Sequence, residues 1–207
     1  MKKKLIKLIG VIVLLYFVTT SFSTWSRTKV IYNVPKNNYI ATVSQEVTTP
    51  QVNNFPYLGK SYIGFKEALA FKESQGKYNR INTLGYLGKY QFGKSTLKRF
   101  KIYNTNHFLK DAQLQEDAFL ALCSVNKWIL KRDIKRSVGK KINGIKITES
   151  GILAAAHLAG AGSVKKYLRS NGSVGFTDAY GTNIEYYLKK FAGYDTSFVE
   201  ANKKPVF

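Results

Sequence analysis

Apolar residues recur at helical spacing in several blocks of the chain, and breaker residues separate those blocks. From Tyr62 onward, Ile63, Phe65, Ala68, Leu69 and Phe71 predict an amphipathic helix that ends near Gly76, a residue type suited to a helix C-cap. Residues 79–93 are rich in Gly, Asn and Tyr, too punctuated for a helix, and read as a turn or short hairpin. Residues 95–103 return to a helical pattern. The longest predicted helix covers 111–134, with Asp111 as N-cap and Leu114, Ala118, Leu122, Val125 and Ile129 along one apolar face. Thr148-Glu149 opens another helix over 152–158, closed by Gly160 and Gly162, and a short one follows over 164–169. Thr182-Asn183-Ile184-Glu185 fits a capping box and predicts a last helix to Phe191. The expected domain is therefore mainly α with one small β-hairpin-like segment, and no internal repeat is visible.

The first 57 residues follow different rules. Lys2, Lys3, Lys4 and Lys7 precede an apolar stretch over 8–18, and Ser21-Phe22-Ser23 offers a small-x-small cleavage site. The stretch is shorter than the ~20 residues of a spanning helix. Residues 1–23 thus read as a signal peptide or as a retained inner-membrane anchor. Either form predicts export to the periplasm or cell envelope. Residues 24–57 carry Pro35, Pro50 and Pro56 among Asn, Thr, Ser and Gln, and read as a linker. The folded domain is expected over 58–207.

Charge narrows the partners without choosing one. The chain of 207 residues has 33 Lys and Arg against 12 Asp and Glu, a net +21. Eight of those cations and one acid precede residue 61, which leaves 25 against 11, or +14, for the domain. Such a surface attracts polyanions, whether nucleic acid, anionic lipid or an acidic cell wall. The charges are spread through the helices without a dedicated nucleic-acid motif, so no nucleic-acid partner is expected. Cys123 is the sole cysteine, which excludes an intrachain disulfide and a cysteine metal site. It lies in an apolar run and reads as a buried thiol. His107 and His157 are far apart, so no metal and no cofactor are expected, and the domain is expected to act as a monomer. Gly88-Lys89-Tyr90-Gln91-Phe92-Gly93-Lys94-Ser95 matches the phosphate-loop pattern by letter. No buried strand is predicted before it and no βαβ alternation after it, so no nucleotide partner is expected.

Chemistry points first to Glu73. Cleavage of a glycoside needs a carboxylic acid that can protonate the leaving oxygen. Glu73 stands at the C-terminal end of its helix, where the dipole disfavours a carboxylate, with Phe71 and Tyr78 as nearby aromatics. Behind it come Glu73-Ser74, then Gly88-Lys89-Tyr90-Gln91, then Ala156-His157-Leu158-Ala159-Gly160, then a late helical Tyr187. In that order these segments resemble the Glu-Ser, Gly-x-x-Gln, Ala-Tyr-Asn-Ala-Gly and tyrosine motifs of the lytic transglycosylases. Those are relatives of goose-type lysozyme within the lysozyme-like superfamily. The resemblance covers about residues 61–195 and implies a lysozyme-like domain acting on the glycan strands of peptidoglycan.

The resemblance also implies roles. Glu73 would be the single catalytic acid and base, cutting the bond between N-acetylmuramic acid and N-acetylglucosamine and leaving a 1,6-anhydro end. Ser74, Gln91, Tyr90, His157, Gly160 and Tyr187 would surround the substrate, although Tyr90 alternates with Gln91 and also fits the core. The chain departs from the family at His157, where Tyr is usual, and at Leu158, where Asn is usual, so the role of that Asn is unassigned. No acid lies between Glu73 and Asp111. A hydrolytic, lysozyme-type alternative would therefore draw on Asp111, Glu116 or Asp117. A non-catalytic peptidoglycan binder is the third reading.

Overall fold

The computed structural model describes residues 58–206, so the leader over 1–23 and the linker over 24–57 lie outside the described residues. The described part is mainly helical, with one small antiparallel sheet. In chain order it runs α1 (Tyr62–Ser74), α2 (Lys94–Arg99), α3 (Thr105–Lys110), α4 (Ala112–Ser137), β1 (Lys141–Ile142), β2 (Ile145–Lys146), α5 (Glu149–Arg169) and α6 (Ile184–Lys190).

Side chains of the flanking residues set the helix starts. Ser61 accepts from the Gly64 amide, Asp111 from Leu114, and Thr148 from Gly151. Each such cap is worth about 1 kcal/mol. Gln75, in the left-handed region at φ 60°, closes α1 one residue before Gly76. At α6 the cap is Asn183, whose Oδ1 accepts from the Tyr186 amide at 2.8 Å, and not Thr182 as the capping-box pattern suggests. Glu185 is drawn away from that box by hydrogen bonds from Asn143 and Tyr167.

Three other details differ from the sequence expectation. The pair expected over 152–158 and 164–169 is one element, kinked where Gly160 leaves helical geometry at φ 75° and ψ 152°. The paired strands fall at 141–146, whereas 79–93 holds only isolated bridges, Ile81 to Leu87 and Leu87 to Phe92. Asn143-Gly144, both at positive φ, turns that hairpin, and Asn-Gly between two isoleucines is its sequence signal. Finally, α3 carries a single buried residue, Phe108, which is too little for a readable period.

The core lies between α1, α4, α5 and α6. Phe65 of α1 meets the rings of Phe119 at 6.2 Å and Phe191 at 6.4 Å, and Tyr90 stacks on Phe119 at 4.1 Å. Ile152, Leu153, Ala154 and Ala155 are fully buried on α5. Full burial of each large apolar side chain contributes about 1.5–3 kcal/mol. Gly151 lets α5 and α6 approach closely, since a Cβ there would sit 2.7 Å from the Leu188 carbonyl oxygen. At the far end, the buried Asp133 of α4 pairs with Arg136 and with Arg169 of α5. Among the described residues, no helix is both long and apolar enough to cross a membrane.

Candidate active site

Glu73 sits in the last turn of α1, half-buried in the wall of a cleft of about 360 Å³. Its contact is Tyr187, which reaches across from α6 and donates its hydroxyl proton to Glu73 Oε1 at 2.5 Å. The Tyr187 ring is buried against Phe191, with centroids 5.1 Å apart. Burial first, and then the charge of Glu73, push the Tyr187 hydroxyl well above the ordinary phenol range, so it remains a proton donor. Glu73 Oε2 has no protein partner among the described residues. The aromatics expected to cover Glu73 do not do so. Phe71 is 70% exposed, and Tyr78 turns to Glu116.

Gln91 and His157 form the middle of the cleft. Gln91 occupies the left-handed region at φ 51° and is 8% exposed. Its Nε2 donates to the Gly88 carbonyl at 2.8 Å, and its Oε1 is buried without a partner. His157 Nε2 lies 2.8 Å from the Tyr90 carbonyl. A carbonyl can only accept, so Nε2 carries the proton, and in the neutral ring Nδ1 presents a bare lone pair. That Nδ1 is also buried without a partner. Leu158 lines the same cleft beside them, and Gly160 lines its continuation, a groove of about 500 Å³ that shares Tyr86, Gln91, His157 and Leu158 with it.

The loop that carries Gln91 is fixed from behind. Ser74 Oγ donates to the Lys89 carbonyl at 2.7 Å and accepts from the Lys77 amide at 3.0 Å, joining the end of α1 to the loop. The fully buried Gln115 of α4 accepts from the Lys89 amide at 2.8 Å and donates to the carbonyls of Phe108 and Tyr78. Beneath lies a charge cluster. Glu116 accepts from Lys66 at 2.6 Å, Lys89 at 2.7 Å, Tyr78 at 2.7 Å and Tyr90 at 2.8 Å. Burial alone would raise the Glu116 carboxyl, but these four donors outweigh it and hold it down at about 2.

The sequence-predicted residues therefore separate into two groups. Glu73, Gln91 and His157 share the cleft wall, Tyr187 holds Glu73, and Gly160 borders the adjoining groove. Ser74 and Tyr90 do not line the cleft. Ser74 is buried in backbone contacts, and Tyr90 is wholly buried between Phe119 and Glu116, as its alternation with Gln91 implies. The three acids considered as second carboxylates are elsewhere too. Asp111 caps α4, Glu116 is locked in its cluster, and Asp117 bonds Gln113 at 2.9 Å.

The acid that does line the cleft is Asp178, in the loop before α6. Its Oδ1 accepts from the Tyr180 and Thr182 amides at 2.9 and 2.7 Å. Beside it the Tyr180 hydroxyl lies 2.7 Å from Thr83 Oγ1, joining the loops on the two sides of the cleft. Asp178 followed by Gly181 is readable as a turn, but nothing in the local pattern tells which side of the domain the turn faces. The phosphate-loop pattern at 88–95 has no strand before it. Its Lys94 and Ser95 are exposed at the start of the six-residue α2. Among the described residues no group of three or more His, Cys, Asp or Glu is arranged to hold a metal ion.

Compared with protein families, with curated proteins and with solved structures, the chain shows no match. Its functional reading therefore rests on its own residues.

Proposed function

We propose that the domain is lysozyme-like and cuts the glycan strands of peptidoglycan, with Glu73 as both general acid and general base. The observation that carries this reading is the Tyr187–Glu73 hydrogen bond within the cleft that also holds Gln91 and His157. With Oε1 engaged by Tyr187, Oε2 is the oxygen left to carry a proton toward a glycosidic oxygen. Proton transfer from Glu73 breaks the bond between the anomeric carbon and that oxygen. The C6 hydroxyl of the same sugar then attacks the anomeric carbon, and its proton returns to the Glu73 carboxylate. The ring closes as a 1,6-anhydro sugar, no water is consumed, and Glu73 ends in its starting state. The chain would act after export, in the periplasm or envelope, as a monomer on an anionic wall, using neither metal nor nucleotide.

Asp178 supports a second reading, hydrolysis. It shares the cleft with Glu73, and its Oδ2 has no protein partner among the described residues. A carboxylate there would activate a water against the anomeric carbon, leaving an ordinary reducing end.

Digestion of purified peptidoglycan, followed by mass spectrometry of the muropeptides, separates the readings. Anhydro ends from the parent and from Asp178→Asn are expected, with none from Glu73→Gln. Reducing ends that vanish in Asp178→Asn would establish hydrolysis instead. Fragments released by Glu73→Gln would remove Glu73 from the mechanism. Co-sedimentation with sacculi without soluble fragments would mark a binder.

A further inference from the structure

The groove beyond His157 shares a lining residue, Arg99, with a cavity that the reaction does not use. The groove passes Gly160 and Asn126 and reaches Arg99. Arg99 in turn borders a cavity of about 610 Å³, whose other cations are Lys101, Lys203 and Lys204, over an apolar floor that includes Val125 and Pro205. No acidic side chain lines either the groove or this cavity. None of the four cations is in an ion pair among the described residues, and what sets them apart from the other unpaired cations is that they line one concavity.

Two contacts place the C-terminal side of the cavity. The C-terminal segment is tied to α4 by the Asn202 amide, which donates to the Ser124 carbonyl at 3.2 Å, and Lys203 lies over the Trp128 ring at 5.2 Å. Lys101 is held in the left-handed region at φ 61°, where glycine would be unstrained and lysine is not. Four cations without an ion pair among the described residues, gathered around one concavity, repel each other, and an anion relieves that repulsion.

We propose that this cavity is an anion-binding subsite for the strand lying in the groove, taking a carboxylate or phosphate carried as a substituent of that strand away from the cut. This rests on the glycan-cutting reading above. Two wall components supply that chemistry: the carboxylates of the stem peptides, and phosphodiesters of a wall polymer. The subsite would set which strands are held and how tightly, without touching the reacting atoms.

The test uses the full chain and the triple variant Lys101→Gln, Lys203→Gln, Lys204→Gln, with the triple Lys→Arg variant as the charge-conserving control. Substrates are peptidoglycan bearing stem peptides but no phosphate polymer, glycan strands stripped of peptides by an amidase, and those stripped strands with phosphate polymer attached. Three exposed ionic contacts together predict a roughly tenfold rise in KM for the Gln variant, with kcat unchanged. The rise should appear on the substrate with the recognised anion, be absent on bare strands, be restored by Arg and shrink in high salt. A rise confined to the first substrate assigns the peptide carboxylates, and one confined to the third assigns phosphate. Equal KM values for parent and Gln variant on every substrate would overturn the subsite.

A second measurement separates this from failure of the glycan-cutting reading. Sedimentation of Glu73→Gln protein with the same three substrates needs no catalysis. If the parent cuts nothing but the three Lys→Gln changes still weaken that sedimentation selectively, the subsite stands and the enzymatic reading falls. Thermal unfolding followed by circular dichroism confirms that all variants remain folded.

Discussion

Replacing Glu116 by Gln should destabilise the domain in a pH-dependent way. The carboxyl goes from an ordinary 4.5 to about 2 in the folded chain, and its side chain is 16% exposed. At about 1.4 kcal/mol per pH unit, that difference corresponds to about 3 kcal/mol of stability. Because the folded value is the lower one, the contribution is complete above the unfolded value. It declines as pH falls below 4.5 and is gone near 2. Urea unfolding of parent and Glu116→Gln, followed by far-ultraviolet circular dichroism between about pH 2.5 and 7, should show a gap of about 3 kcal/mol at neutral pH. That gap should narrow across the acid limb. Subtraction of the two curves removes carboxylates that titrate in both proteins, such as Asp133, which Arg169 and Arg136 also hold low against its burial. A gap that stays constant from neutral pH to the acid limit would refute the reasoning, since it would mean the loss is packing and not charge. A gap near zero at neutral pH would show that Glu67, which also accepts from Lys89 at 2.7 Å, suffices for the cluster.

The remaining predictions concern the cleft and the packing around it. Tyr187→Phe removes the hydroxyl that grips Glu73 and should lower kcat on peptidoglycan by about 10- to 100-fold, the equivalent of one charge-assisted hydrogen bond. Thermal unfolding should change little. Gly88→Ala places a methyl 2.2 Å from Gln115 Oε1 at a backbone φ of 77°. It should cost about 2 kcal/mol or more in urea unfolding, and a neutral result would mean the loop carrying Gln91 is not held as described. Burial pushes the Cys123 thiol up to about 12, so iodoacetamide at about pH 8 should leave the native chain unmodified and alkylate it fully in denaturant.

The parts legible in the sequence were those with long-range periodicity or strong local chemistry. The apolar stripe from Leu114 to Ile129 and the Asp111 cap identify α4, and Ser61 and Thr148 start their helices as their side chains dictate. Alternation puts Tyr90 on the side opposite Gln91, and its full burial overturns the place beside the substrate that the family resemblance implies for it. What stayed hidden depends on contacts far apart in sequence. Nothing local to Glu116 tells that Lys66, Lys89, Tyr78 and Tyr90 converge on it, so the sequence alone leaves it open as a second catalytic acid. Asp178 carries no local signal of its position, because only the packing of α6 against α5 brings its loop to the cleft that holds Glu73. Thr182 lost the cap to Asn183 because Glu185, the other half of the box, was claimed by Asn143 and Tyr167.

The unpaired Gln91 Oε1 and His157 Nδ1 have a consequence for inhibitor chemistry. With the imidazole neutral both are acceptors, and neither satisfies the other. Both atoms are shielded from solvent, so only a compound that displaces the cleft wall and supplies two N–H groups reaches them, and each acceptor so paired recovers about 1–3 kcal/mol. A cyclic urea, with two N–H groups, fits that demand, whereas a sulfone or ester oriented into the same place adds lone pairs to lone pairs and should bind worse than an unsubstituted ring.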